Sequence, residues 1–514
     1  MVEFSLSRRR LLAGGVALAA LQTTPRVCAK PRFTETPFSL GVASGYPTPD
    51  GFTLWTRLAP RPFEPGGGMP ADSARVHWEV ARDEAFQQIV RRGDALAEAN
   101  WGHSVHVDVT GLAAGRAYRY RFRAGDAVSS TGRTRTAPAA NVLPKLLRLA
   151  LASCQHYEHG YYSAYRHMLD DDLDLIVHVG DYLYEGSWGP EKVRNHLGPD
   201  PYTLDEYRIR YACYKSDRDL QRAHAAYPWL VVWDDHEVEN DYSHDRSMYY
   251  AETAKFLARR AAAYQAYYEH LPLPARMRPA ADGMRLYTTA AWGQLANIAL
   301  LDTRQYRSYP PCRNAKTDNF GRACGDFSDP NATLLGAAQE AWLDRTLHAS
   351  KAQWNLVAQQ LLMARNDGFP GPMEKLQTQN WDGYAAARTR LLDSLINNRV
   401  SNPIILSGDV HSFWVNDLRR DFLRPEQAPV AAEIVTTSIS SYGGDDSYIN
   451  QVRLDAPHVK FATARFRGYA RLDVTPVRTT CDLRAVVKIQ DPASRGFTLS
   501  SWVVDDQRPG IVRA

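Results

Sequence analysis

From residue 146 onward the chain repeats one pattern: a solid apolar run stops abruptly on an acid, a thiol, an amide or an imidazole. "LLRLALASC", "LDLIVHVGD", "WLVVWDDHE", "WNLVAQQLL" and "NPIILSGDVHSFW" all do so, and "QLANIALLDTR" has the same apolar body. Runs without polar alternation are strands buried on both faces, as in parallel sheets. Helical segments lie between them, at 251–270, 334–349 and 384–398, with a shorter "YYSAYRHML" after the first run. That alternation predicts an α/β sheet with covered faces. Ligand sites in such sheets form beyond the carboxyl ends of the strands. Cys154, Asp181 with Tyr184, Asp234 to Glu237, Gln359 and Gln360, and Asp409 with His411 therefore converge although distant in the chain.

The residue types at those ends form a metal-binding inventory: thiolate, carboxylates, phenol, imidazoles and an amide. Such a mixture suits two metals, one site redox-tuned and one oxygen-rich, with Asp181 bridging from the central strand. Each residue alone has a plainer reading. Cys154 is a small buried hydrophobe, Asp181 a turn or cap residue, "WDDHE" a solvated loop and His411 a structural histidine. Their shared position at strand ends is what favours a site.

Residues 38–140 have a different pattern. "FTLWTRL", "ARVHWEVA", "SVHVDVTGL" and "AYRYRFRAG" are short alternating strands broken by turns, predicting a small β-sandwich of immunoglobulin or fibronectin type. The change after "TAPAANVLPK" sets a second domain over 145–505. A chain of 514 residues exceeds one core, which agrees.

Residues 1–29 have a charged start, an apolar middle and a small residue at Ala29, the anatomy of a signal peptide. Ser7-Arg8-Arg9-Arg10-Leu11-Leu12 resembles a twin-arginine signal, a route that exports folded proteins; an Arg-rich Sec leader is the alternative. The leader holds four arginines against Glu3, a net +3, so the remainder of the +4 chain is near +1. That charge carries no nucleic-acid-binding signature. No second apolar run has membrane length, so no stable membrane anchor is expected. Of six cysteines, Cys28 lies in the leader and Cys312 with Cys324 bracket a short polar loop as a plausible disulfide. Cys154, Cys213 and Cys481 are left, an odd number, so at least one thiol is unpaired or ligated.

"GDYLY" resembles the G-D-x-x-Y block of the calcineurin-like metallophosphatases. With "LASCQ", "HVGDYLYEG", "WDDHEVENDY" and "SGDVHSFW" in this order, the chain from about 38 to near 500 resembles the PhoD-like alkaline phosphatases. The resemblance implies an α/β metallophosphatase sandwich, two central sheets flanked by helices, behind the N-terminal β-sandwich. It implies Fe(3+) held by Cys154, Asp181, Tyr184 and His411. It implies Ca(2+) held by Asp181, Asp235, Asp409 and Gln360 or its neighbour Gln359, with Asn240 a further ligand or supporting group. His236 takes the place of the catalytic histidine, oriented by Asp234 or Glu237, and Asp181 acts with it. Replacing His and Asn by Asp and Gln turns the second site toward oxygen, which favours calcium over zinc. Arg166, Arg208 and Arg210 are phosphate-clamp candidates with a surface role as the plainer reading. A helix within 483–505 is a candidate cap over the site.

The activity so implied is hydrolysis of small phosphate esters, monoesters, diesters or both, outside the cytoplasm in periplasm or medium after passage through the twin-arginine machinery. Two alternatives stand beside it: a phospholipase D-like phosphodiesterase, and a non-enzymatic secreted binding protein with an inert metal site.

Overall fold

The structure, a computed structural model, describes residues 33–514 except 281–282, 312–319, 323–324, 370 and 372–373. The leader, Cys28 and the Cys312–Cys324 pair lie outside the described residues.

Two large sheets form the body. The larger runs, in spatial order, Val512–Arg513, Gly496–Asp505, Arg478–Val486, Arg467–Val474, Leu147–Ala152, Leu175–His178, Pro228–Val231, Val42–Thr48, Gly51–Arg57 and Ser104–Val109. The smaller runs Thr288–Trp292, Ala296–Leu300, Trp354–Ala358, Pro403–Ser407, Ala431–Val435, Phe413–Leu418 and Val459–Thr463. Each apolar run singled out in the sequence is a strand, and the three long helical segments are Thr253–His270, Gly336–Ala349 and Ala385–Asn397. The central strands pair in parallel in both sheets, which gathers their C-terminal ends.

The side chains explain the layering. Along the smaller sheet, Ile298, Leu300, Leu356, Ala358, Ile404 and Leu406 join one apolar cluster with Leu149, Val177 and Leu230 of the larger sheet. Their neighbours Ala299, Val357 and Ile405 face a second cluster with Leu343, Leu347, Leu391 and Leu395 of the helices. Alternate residues of one strand thus serve two cores, which is why these strands are apolar throughout. Among the described residues no helix is long and apolar enough to cross a membrane.

The N-terminal region is less separate than its sequence suggests. Ile89–Ala97, Ala74–Ala81, Ala117–Ala124, Ala127–Val128 and Gly132–Arg135 form a sheet of their own. Its inward Val76, Tyr120 and Phe122 pack on Val42, Leu54 and Val105. Those last residues belong to the larger sheet, through parallel pairing of Ser44 and Gly45 with Pro228 and Trp229. One backbone ladder therefore crosses the expected boundary near 140. The C-terminal expectation is corrected too: 483–505 forms the antiparallel strands Arg478–Val486 and Gly496–Asp505 with the turn between them, and supplies no helical cap.

Candidate metal centre

The parallel ladder continues past the strands themselves. Val179 donates to Ala152, then Cys154 to the Gly180 carbonyl at 3.1 Å and Gln155 to Asp181 at 3.0 Å. At that point the chain turns sharply. Cys154, Asp181, Asp409 and His411 have φ of 60°, 56°, 65° and 49°, a left-handed conformation non-glycine residues seldom adopt. Such strain costs on the order of 1–3 kcal/mol per residue and gathers at functional sites. The two cores hold it, since one buried Leu or Ile is worth about 1.5–3 kcal/mol. Gly180 precedes Asp181 because nothing else fits: a Cβ there would lie 2.4 Å from the Asp234 Cβ.

The turns bring the predicted side chains together. Cys154, Asp181 and His411 place ligand atoms within 4.8 Å of one another, as do Asp181, Asp235 and His236, and Asp234, Asp235 and Asp409. The Tyr184 hydroxyl donates to Asp181 Oδ2 at 2.8 Å and lies 2.9 Å from His411 Nε2. His411 Nδ1 donates to the Tyr442 carbonyl at 2.6 Å, which leaves Nε2 as the ligand nitrogen. Asp181 Oδ1 and Asp234 Oδ2 are buried without a hydrogen-bond partner. Buried carboxylate oxygens are rarely left so, and a cation satisfies them. The donor set therefore fits metal binding, with soft and phenolic donors on one side of Asp181 and carboxylates on the other.

Electrostatics point the same way. Burial, with Asp181 beside it, pushes the Cys154 thiol well up, and burial pushes Asp181 and Tyr184 up too. His411 is pushed down to about 3 by burial and by Arg467. Without a cation burial favours the neutral form of each group; a bound cation would reverse that by stabilising thiolate and phenolate.

His236 is placed on the other side of Tyr184, its ring 4.3 Å from that phenol and 5.4 Å from Trp188. Burial opposes its charge, yet Glu185, Asp181 and Asp235 raise its pKa well above the usual value. The orienting carboxylate is Glu185, whose Oε2 is 2.7 Å from His236 Nδ1. This corrects the expectation for Asp234 and Glu237. Asp234 pairs with Arg304, while Glu237 accepts the backbone N–H groups of Asp181, Tyr182 and Asp234 and so braces the turn.

The glutamines are a second correction. Gln360 Oε1 accepts from the N–H and hydroxyl of Thr303, and its amide donates to the Leu301 carbonyl. Gln359 is engaged by Ser407, Leu361 and Trp381. Both are fully buried in the smaller sheet, with their polar atoms occupied. Neither the clamp role considered for the three arginines nor the plainer surface role describes them fully, since all three hold the scaffold. Arg166 binds the Pro492 and Ser494 carbonyls, Arg208 the Glu269 carboxylate, and Arg210, itself buried, the carbonyls of Tyr184, Glu185 and Pro199. Cys154, Cys213 and Cys481 are all free and buried.

The site opens into a cleft of about 990 Å³ whose walls include Asp181, Asp235, His236, Asn240, Asp409, His411 and Trp188. Two residues were missed from sequence, Glu185 in the cleft wall and Arg304 buried behind it. Glu185 directly follows Tyr184 in "GDYLYEG", and Arg304 ends "QLANIALLDTR", so the strand-end rule reaches both.

A cleft lined by candidate metal-ligating side chains at converging strand ends is the geometry of an enzyme active site in an α/β protein. The family follows from comparison. A family model described as PhoD-like phosphatase matches residues 149–483, and one described as PhoD-like phosphatase, N-terminal domain, matches 22–138. The chain belongs to the PhoD-like phosphatases and is a phosphohydrolase. Alkaline phosphatase D of Bacillus subtilis (strain 168) is 41% identical over 510 residues, covering 97% of this chain and 86% of that protein. A solved structure described as "Structure of PhoD" superposes with a TM-score of 0.90 at 41% identity, over 94% of this chain and 93% of that one.

Proposed function

We propose that the chain is an exported, metal-dependent phosphohydrolase of metallophosphatase-type sandwich fold, acting on phosphomonoesters, phosphodiesters or both. The observation that carries it is Asp181. One of its oxygens is bonded to Tyr184, the other is buried and unpartnered, and the carboxylate stands between Cys154 with His411 and Asp235 with His236. Cys154, Asp181, Tyr184 and His411 would hold ferric iron, whose charge offsets a thiolate and a phenolate. Asp181, Asp235 and Asp409 would hold calcium, which takes oxygen donors. Bound there, the two cations would supply Lewis-acid polarisation of the phosphoryl group and would lower the pKa of a water near it.

The protein's own groups do the rest. Glu185 fixes His236 through Nδ1 and favours the charged form of the imidazole. From Nε2 the ring steadies charge on the phosphoryl oxygens and passes a proton to the leaving oxygen. Trp188 stacks beside the ring in the cleft wall. Arg8 and Arg9 in the leader support export of the folded, metal-loaded chain by the twin-arginine route, before Cys154 meets an oxidising compartment. The test is elemental analysis of the purified protein with rates on p-nitrophenyl phosphate and bis(p-nitrophenyl) phosphate before and after chelation. Iron and calcium near one each, and activity lost on chelation and restored by the metals, are expected. A metal-free protein with full activity would refute it.

A further inference from the structure

The carboxylates at the oxygen-rich end of the site need something to hold them apart, and a residue from the smaller sheet reaches them. Arg304 is 1% exposed and contributes nothing to the cleft wall, so it does not touch a substrate. Its Nε donates to Asp234 Oδ1. Nη2 lies 3.1 Å from Asp409 Oδ1 and 3.6 Å from Asp235 Oδ2, and Nη1 lies 3.5 Å from Asp241 Oδ1. One guanidinium thus meets four carboxylates from two chain segments, 234–241 and the turn at Asp409. Asp234 and Asp235 follow a strand of the larger sheet, whereas Asp409 and Arg304 follow strands of the smaller. The fork ties the two sheets together at the site.

The turn that presents it is fixed from beneath. Asp302 Oδ1 accepts the N–H groups of Arg304 and Gln305 at 3.0 and 2.9 Å. Gln360 clamps Thr303, one residue before. A guanidinium is always charged and spreads its donors in a plane; an ammonium of equal charge offers one point and cannot span the same four partners.

We infer that Arg304 is a positioning residue, holding Asp234, Asp235 and Asp409 at the spacing that makes the second, oxygen-rich cation position. The inference rests on the two-cation reading above. The charge alone would weaken cation binding by repulsion; the geometry it imposes strengthens it, and the proposal is that geometry prevails.

The R304K variant keeps the charge and loses the fork, so it separates the two. With calcium as probe, titrated into mildly chelated enzyme, its dissociation constant rises by about 10- to 100-fold, the range seen when a group that orients metal ligands is removed. Saturating calcium restores turnover toward wild type, and the visible absorption of the Cys154–Tyr184 centre is unchanged. A merely structural arginine would lower thermal stability without calcium rescue. Q360L loosens the same turn while removing no group that meets the carboxylates, and shifts calcium binding the same way by less; it serves if R304K does not fold. Unchanged calcium affinity in both variants overturns the inference. So does a gain of calcium in R304Q, which would make the guanidinium a competitor for the position. If wild-type enzyme takes up no calcium at all, it is the two-cation reading that falls.

Discussion

Two buried clusters in this molecule carry unbalanced charge, and they resolve it in opposite ways. At the strand ends, Asp234, Asp235, Asp241 and Asp409 face Arg304 with Asp181 close by, oxygens are left over and a cleft opens onto the cluster. Between the N-terminal strands and helices Leu204–Lys215 and Thr253–His270, the excess is positive: Arg57, Lys215 and His270 lie together at no more than 1% exposure. There the nearby Glu269 is committed to Arg208. Arg57 donates to the Gly102 carbonyl and to His270 Nε2, whose ring is thereby neutral, and burial pushes Arg57 down to about 10. The Lys215 ammonium has no hydrogen-bond partner and sits 4.1 Å over the Trp55 ring. In the sealed cluster burial disfavours the charged forms of Lys215 and His270. The open one keeps its carboxylates where a cation can reach them. Access, more than charge, separates a site from a structural charge defect.

The sharpest way to break this comparison is Asp181→Asn. Turnover should fall by more than about a thousandfold, the several kcal/mol that metal polarisation supplies, and bound metal should fall with it. The metal-free variant should be no less stable than metal-free wild type, because burial already favours the neutral Asp181 carboxyl, which the amide matches in shape and charge. A variant that keeps its metals and its rate would place Asp181 among structural groups.

Next in size are the two members of the proton pair. His236→Ala should lower turnover by about 10²- to 10⁴-fold with metal content intact. Glu185→Gln should cost about 10- to 100-fold, since it orients the ring rather than reacting. Metal loss in His236→Ala would make that residue a ligand, and an unchanged rate in Glu185→Gln would detach the carboxylate from the chemistry.

The smallest effect belongs to the sealed cluster. Burial holds Lys215 well below the usual lysine range. Between that lowered value and the unfolded value near 10.4, the unfolded chain binds a proton the folded chain lacks, so stability rises with pH across that window. Lys215→Met should flatten the rise and add about 1 kcal/mol near neutrality, the cost of a buried unpaired polar group less its contact with Trp55. Activity should not change. Melting curves from neutral to alkaline pH measure the slope, and a slope kept in the variant would show that another group carries it.

Most of the site was legible because it follows a local rule. An apolar run that ends on a ligand-type residue locates Cys154, Asp181, Asp235, Asp409 and His411 whatever the rest of the chain does, and the parallel ladder gathers them. Where the rule was applied without geometry it erred. Gln359 and Gln360 end a strand just as well, yet their amides turn into the smaller sheet to support Thr303 and Ser407. Arg166, Arg208 and Arg210 have the right charge but point at backbone carbonyls and Glu269. Residues 483–505 carry no pattern strong enough to choose between helix and strand, and pairing with Arg467–Val474 and with each other decided for strand.

The sequence by itself determined the strands, the three long helices and the chemical kinds of side chain at the strand ends, because hydrophobic period and abrupt polar termination are local properties. Only the tertiary structure decided which of those ends share one space. It set Glu185 against His236, drew Arg304 across from the other sheet, and ran the N-terminal strands into the larger sheet. Those choices depend on the distance between two packed sheets and on the left-handed turns at Cys154, Asp181 and Asp409, and no short stretch of residues encodes either.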